Sequence, residues 1–123
     1  MKRAAATTVL GFRVAYGAAL LLAPGKVAGN RWLGAGAREP AATVALRGLG
    51  AREVAVHGIA LAVLARGGPV RPWLAASVLG DLADVLAAAI SREGLPDGSA
   101  PATALVAGGS AALTAAVAAA LDD

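Results

Sequence analysis

The sequence of 123 residues contains no cysteine, few aromatic residues and few charges. The absence of cysteine excludes a disulfide scaffold and a metal site with thiolate ligands. Charged residues make up 15% of the chain, against about 25% in an average globular protein. This low share excludes a disordered charged tail, a coiled coil and a basic arm for nucleic acid. The net charge of +3 is small and its arginines are scattered, so we expect no nucleic-acid partner.

Apolar residues make up 58% of the chain and fall into four long stretches separated by turn-forming segments. Each stretch is about 18–25 residues long, the length that a helix needs to cross the hydrocarbon core of a bilayer. None of them alternates with a period of two, which disfavours strands. The sequence therefore predicts an all-α protein, a single four-transmembrane-helix bundle over residues 1–123. The predicted helices are about 4–23, 41–65, 73–90 and 102–121.

The apolar stretches have two other interpretations. A soluble alanine-rich bundle is one alternative, because alanine is only weakly hydrophobic and three of the stretches carry charges. A secretory signal peptide is the other, but Arg13 interrupts the first apolar region. Small residues let membrane helices approach closely, so we expect a helix contact at residues 108–110, which read Gly-Gly-Ser.

The most informative residues are the ionisable ones inside these stretches. Each costs several kcal/mol at membrane depth unless it is paired, so each needs a partner or a function. The residues are Arg13 in the first stretch, Arg47, Arg52, Glu53 and His57 in the second, and Asp81 and Asp84 in the third.

A rise of about 1.5 Å per residue places these groups near the middle of the bilayer, on three different helices. The first predicted level contains Arg13, His57 and Asp81. The second, slightly deeper level contains Arg52, Glu53 and Asp84. Arg47 falls near the opposite surface, where its long side chain can reach the interface. Arg52 and Glu53 point about 100° apart, so we expect them to face different neighbours.

These residue types are the ingredients of general acid–base chemistry. Asp81 and Asp84 are three residues apart and share a helix face, and Glu53 and His57 share another. We therefore expect Asp81, Asp84, Glu53 and His57 to be the catalytic candidates, with one carboxyl group donating a proton and its neighbour accepting one. The candidates for binding substrate and stabilising negative charge are Arg13, Arg52 and Arg47.

Other interpretations of the same residues stay open. Three arginines balance three carboxylates, which suits an ion-pair network that only holds the helices together. A metal site is disfavoured because only one histidine is present and arginines lie nearby. We expect no metal and no cofactor.

Three segments carry a resemblance to a known group of proteins. They are 13–25 (RVAYGAALLLAPG), 46–58 (LRGLGAREVAVHG) and 71–84 (RPWLAASVLGDLAD). Together they resemble small four-helix membrane proteins of the DoxX-like kind and uncharacterised actinobacterial membrane proteins. The resemblance implies a four-helix membrane fold and says little about activity. With the alanine- and glycine-heavy composition, it leads us to expect a bacterial inner membrane.

The leading hypothesis from the sequence is an intramembrane acid/base site that acts on a lipophilic small molecule, as an isomerase, a cyclase or an epoxide-opening enzyme. A non-catalytic accessory or assembly subunit is the first alternative. Translocation of protons or ions is the second, and it would need an oligomer because four short helices make a poor pore. We expect membrane lipid as a further partner. Assembly into a homo-oligomer remains an open alternative.

Overall fold

The computed structural model describes residues 1–121, and it is helical throughout with short connections. Four helices are long, and a short helix and two 3-10 turns lie between them. The long helices are α1 (Lys2–Leu22), α3 (Pro40–Ala65), α4 (Arg71–Ile90) and α5 (Ser99–Ala120); α2 (Pro24–Ala28) is short, and the 3-10 turns are Gly34–Arg38 and Arg92–Gly94. Over the described residues 1–121 there is no strand, which confirms the prediction of an all-α helical bundle.

The four predicted stretches agree with the long helices to within three residues at every end. Proline marks several of the helix starts, because its missing N–H is not needed in a first turn. Pro40 is the first residue of α3 and Pro72 is the second residue of α4. The observed helices therefore begin slightly earlier than hydropathy alone predicts, since their first turns contain residues that are not strongly apolar.

The bundle consists of two tightly packed helix pairs, α1 with α3 and α4 with α5. Gly17 and Gly50 allow the close crossing of α1 and α3. A Cβ atom on Gly17 would lie 2.7 Å from the carbonyl oxygen of Gly50, and one on Gly50 would lie 2.6 Å from that of Gly17. By contrast, a Cβ on Gly108 or Gly109 would meet open space, so the prediction of a close contact at residues 108–110 is wrong.

The end of the bundle that carries the α3–α4 loop is filled by apolar side chains. This cluster joins three long helices and the end of α5: Ala6, Leu10, Ala60, Leu64, Val70, Leu74 and Leu121. Two arginines cover exposed helix ends nearby. Arg3 donates to the carbonyl oxygen of Leu64, and Nε of Arg71 donates to that of Ala118, 3.0 Å away. This end is therefore the closed end of the bundle.

The opposite end is packed only on one side. Its apolar cluster comes from α1, α2, the first 3-10 turn and α3, and it contains Leu20, Ala28, Ala37 and Leu46. The first connecting segment reaches across to α5 through hydrogen bonds. Nε1 of Trp32 donates to Oγ1 of Thr103 over 2.9 Å, and the Ser99 hydroxyl donates to the Trp32 carbonyl oxygen. Between the two helix pairs, beneath this bridge, a cavity takes the place of a packed core.

The outer surface of the bundle is apolar, and all four long helices are long and apolar enough to cross a membrane. Large apolar side chains point outwards from each of them: Leu22, Val44, Ile59, Leu79, Leu82, Leu86, Ile90, Leu105 and Leu113. A surface of this kind promotes aggregation in water, whereas lipid covers it in an integral membrane protein.

Candidate functional site

A buried arginine joins three helices in the middle of the bundle. Nε and Nη2 of Arg13 on α1 donate to the two carboxylate oxygens of Glu53 on α3, each over 2.8 Å. Nη1 and Nη2 also donate to the carboxylate of Asp81 on α4, over 2.8 and 2.6 Å. We call these three residues the Arg13 triad. They are only 7%, 3% and 2% exposed, so little of the triad is accessible from outside the bundle.

The close crossing of α1 and α3 places the first two members of the triad together. Gly17 lies one turn after Arg13, and Gly50 lies about one turn before Glu53. A Cβ on Gly17 would lie 2.7 Å from the Cβ of Glu53, so a larger residue would push this carboxylate away from Arg13. The glycines therefore set the geometry of the charged site as well as the packing of the two helices.

His57 lies behind the triad. Its Nδ1 donates to the main-chain carbonyl oxygen of Glu53 over 2.7 Å, and its Nε2 lies 2.7 Å from the hydroxyl oxygen of Ser77. The ring is 2% exposed and is not among the residues that line the cavity. Its position suits a residue that orients Glu53 and ties α3 to α4.

A second ion pair lies towards the cavity. Nη2 and Nη1 of Arg52 donate to the two carboxylate oxygens of Asp84 over 2.6 and 3.2 Å. Their side chains are 37% and 32% exposed, in contrast to the triad. Nη2 of Arg52 also lies 3.8 Å from Oε1 of Glu53, which links this pair to the triad. We call Arg52 and Asp84 the outer pair.

The cavity between the two helix pairs has a volume of about 870 Å³, within the range typical of sites for small molecules. Five of its charged lining residues form the triad and the outer pair, and we call these five the charged wall: Arg13, Glu53, Asp81, Arg52 and Asp84. Arg31 also lines the cavity. Most of the remaining wall is apolar and includes Leu46, Leu49 and Val106, with Phe12, Tyr16 and Trp32 as aromatic members. The site therefore combines a large apolar volume with a connected cluster of charged groups.

The structure brings together five of the seven residues singled out in the sequence. Arg13 pairs with Asp81, and Arg52 pairs with Asp84, as the depth estimate groups them. The same estimate groups Glu53 with Arg52, but Glu53 bonds chiefly to Arg13. Arg52 and Glu53 face different helices, which confirms the prediction from their angular separation.

The other two residues do not line the cavity, although His57 lies against the triad, with its Nδ1 3.4 Å from Oε2 of Glu53. The depth estimate groups His57 with Asp81, but His57 contacts Glu53 and Ser77. Arg47 is exposed and its Nε donates to the carbonyl oxygen of Leu21 over 3.1 Å, away from the cavity. The expected balance of three arginines against three carboxylates is therefore wrong, because only two arginines reach the cluster.

Sequence reasoning did not assign Tyr16, Ser77 or Trp32 to the site. Tyr16 lies three residues after Arg13, a spacing that predicts the same helix face. Ser77 lies four residues before Asp81, so a similar spacing would have found it. The position of Trp32 at the edge of an apolar stretch indicates only an interfacial residue, because its contact with α5 depends on the path of the first connecting segment.

The described part of the chain contains no set of side chains suited to a metal ion. Among residues 1–121, no group of three His, Asp or Glu side chains is arranged to hold a metal ion. The carboxylates turn towards arginine side chains instead.

Comparison with known proteins gives no match: no family model, no curated protein and no solved structure is similar to this chain. The resemblance to DoxX-like proteins stays a prediction from three segments. The geometry of the cavity and its charged wall is therefore the basis for a proposed function.

Proposed function

We propose that this chain is an integral protein of a bacterial inner membrane that binds a lipophilic small molecule and performs cofactor-independent acid–base chemistry on it. The observation that carries the proposal is the cavity of about 870 Å³ whose wall exposes the outer pair. Apolar walls favour a lipophilic body, and a few placed polar groups fix its orientation.

The outer pair would perform the chemistry, because it is the charged part of the wall with the most exposed side chains. The Asp84 carboxylate would accept a proton from the bound molecule or from water. The guanidinium of Arg52 would stabilise negative charge that develops on the molecule. The Tyr16 hydroxyl, which lines the same cavity, would return a proton, and exchange with water would then remove the proton from Asp84 and restore the one on Tyr16. Isomerisation, cyclisation and epoxide opening are the reaction classes that need only these groups.

The triad would have a positioning role in this proposal. Glu53 and Asp81 are only 3% and 2% exposed, so a bound molecule would reach their carboxylates less readily than that of Asp84, whose side chain is 32% exposed. Their role would be to hold Arg13 in place. Glu53 would also help to position the outer pair through its 3.8 Å contact with Arg52. Asp84 would therefore be the reacting carboxylate, whereas Glu53, Asp81 and His57 would be positioning residues.

Isotope exchange tests the proposal with an unidentified substrate. Purified protein in lipid nanodiscs is incubated in D₂O with a lipid extract of a bacterial membrane, and the lipophilic molecules are then compared by mass spectrometry. Acid–base isomerisation exchanges a substrate proton with solvent, epoxide opening adds one water, and cyclisation changes the retention time. We expect one molecular species to change with the wild-type protein and not with Asp84→Asn.

The matched control is Asp97→Asn, because Asp97 is an exposed carboxylate outside the cavity. This variant should behave as the wild type does. The proposal fails if no species changes with the wild type, or if Asp84→Asn retains the full change.

A second candidate is a non-catalytic accessory or assembly subunit, and the triad favours it. One guanidinium with four hydrogen bonds to two other helices is a device that fixes helix register. Purification from native membranes would distinguish the candidates. A stoichiometric protein partner together with an empty cavity would support the accessory role, whereas a bound small molecule without a partner would support the first candidate.

A further inference from the structure

The cavity reaches the outer surface of the bundle between α3 and α4. Gly48 lines the cavity and is exposed, although it lies about 140° around α3 from the buried Glu53 at the helical turn per residue. Ala87 also lines the cavity and is exposed, about 120° around α4 from the buried Asp81. Residues so far from the inward face of their helices line the cavity because the cavity extends outwards between these two helices.

Small side chains leave this side of the bundle open. The residues that line the cavity and are exposed here are Ala45 and Gly48 on α3, and Ala87 and Ser91 on α4. A Cβ atom on Gly48 would meet no other atom within 4 Å. The two helices belong to different helix pairs and pack against each other far less than the members of each pair do. We call this gap the side opening.

Larger groups stand at the other sides of the cavity. Between α1 and α5, the exposed residues that line it are Phe12 and Val106, whose side chains occupy the space that is empty in the side opening. At the end of the bundle, the Trp32 bridge crosses the cavity through its hydrogen bond to Thr103. The side opening is therefore the least obstructed route to the charged wall.

The position of the side opening along the helices places it among acyl chains. Ala45 lies about 8 Å from Pro40, the first residue of α3, and Arg52 lies about 10 Å further along the helix. Half of the hydrocarbon core of a bilayer is about 15 Å thick. The side opening therefore faces the hydrocarbon chains of one leaflet, and the outer pair lies at its inner end.

We infer that the substrate is a lipid of the bilayer itself, which enters sideways between α3 and α4 and has its reactive group in its hydrocarbon part. The inference rests on the proposed function and specifies its substrate class. A molecule that arrives through the side opening meets Asp84 at the depth of the acyl chains, so a headgroup at the membrane surface does not reach it. The group that reacts is one that a hydrocarbon chain carries, such as a carbon–carbon double bond or an epoxide.

The test uses a phosphatidylcholine with a photoreactive diazirine half-way along one acyl chain, a probe that stays in the bilayer. The wild-type protein in nanodiscs that contain this lipid is irradiated, and the labelled positions are located by tandem mass spectrometry. On α5, Ala107 and Ser110 line the cavity, whereas Leu105 and Leu113 are exposed and do not line it. We expect labels at both sets of positions, and the outward set measures contact with the surrounding lipid.

A matched pair of variants tests the route. Ala87→Phe places a ring in the side opening, so the labels at Ala107 and Ser110 should fall about ten-fold or more relative to the outward labels, a change in occupancy that corresponds to about 1.4 kcal/mol. Ala83→Phe is the control, because Ala83 is exposed on the same helix one turn away and does not line the cavity, and it should keep the wild-type ratio. Gly48→Phe, on the facing helix, repeats the test if Ala87→Phe does not fold.

A second probe separates failure of this inference from failure of the proposed function. Hexanol that carries a diazirine dissolves in both water and lipid, so it reaches the cavity by any route. Cavity labels from this alcohol but not from the lipid overturn the inference and leave the proposed binding site in place. Cavity labels from neither probe refute the binding site, and with it both proposals. Equal cavity labelling by the lipid in Ala87→Phe and Ala83→Phe overturns entry between α3 and α4.

Discussion

The triad and the outer pair are built from the same chemical groups and differ mainly in burial. In each, an arginine forms paired hydrogen bonds to the oxygens of a carboxylate. Arg13 is 7% exposed and holds two carboxylates on two helices, whereas the side chains of Arg52 and Asp84 are about one third exposed and face the cavity. The comparison teaches that burial, rather than residue type, separates a charge that holds helices together from one that can meet a ligand.

The largest effect is expected from Arg13→Met, which would leave two buried carboxylates without their cation. Removal of one partner from a buried ion pair costs about 3–5 kcal/mol, so we expect loss of the folded bundle at ordinary temperature. Thermal unfolding in detergent, followed by circular dichroism and size-exclusion chromatography, measures this. Arg47→Met is the matched control, because Arg47 is exposed and makes a single hydrogen bond to a carbonyl oxygen. Equal stability of the two variants would contradict a structural role for the triad.

The second-largest effect is expected from Gly17→Ala, which tests how the triad is positioned. Gly17→Ala would place a Cβ 2.7 Å from the Cβ of Glu53 and from the Gly50 carbonyl oxygen. Overpacking of this kind costs about 1–3 kcal/mol and should also shift Glu53 away from Arg13. Gly11→Ala is the control on the same helix, because a Cβ there meets open space, and it should leave the unfolding temperature unchanged or raise it.

A smaller effect is expected from Ser77→Ala, which removes the partner of His57 Nε2. Loss of one buried hydrogen bond costs about 1 kcal/mol, so the unfolding temperature should fall by a few degrees. The ring resonances of the one histidine give a clean NMR readout for the change in its environment. An unchanged histidine spectrum would show that the contact between α3 and α4 at this point is absent in solution.

A smaller effect on stability than that of Arg13→Met is expected from Asp84→Asn, which should abolish the isotope exchange. The side chains of Arg52 and Asp84 are about one third exposed, and after the substitution Arg52 keeps Oε1 of Glu53 as a counter-charge 3.8 Å away. Thermal unfolding should therefore shift less than it does for Arg13→Met. A loss of stability comparable to that of Arg13→Met would remove the distinction between the two ion pairs.

Much of the fold followed from the sequence because hydropathy and helix length act locally. The four stretches are separated by prolines and turn residues, so their ends were predictable to within three residues. The grouping of charges by depth also worked for Arg13 with Asp81 and for Arg52 with Asp84, since rise per residue is a fixed property of a helix.

What the sequence could not predict depends on which helices pair and at what angle. The close crossing at Gly17 and Gly50, rather than at residues 108–110, is decided by the shapes of whole helix faces. Arg47 carries the same side chain as Arg52, yet it turns to a carbonyl oxygen outside the cluster. The cavity exists because the two helix pairs pack well internally and leave space between them. No residue pattern in the sequence predicts that space.

The most direct test of the central claim is native mass spectrometry of the protein released from nanodiscs, compared with a variant whose cavity is filled. Ala107 on α5 lines the cavity, whereas Ala112 on the same helix is exposed and does not. We expect a bound small molecule on the wild type and on Ala112→Phe, and a protein without it for Ala107→Phe. A wild-type protein that carries no small molecule, or equal occupancy in Ala107→Phe and Ala112→Phe, would contradict the account.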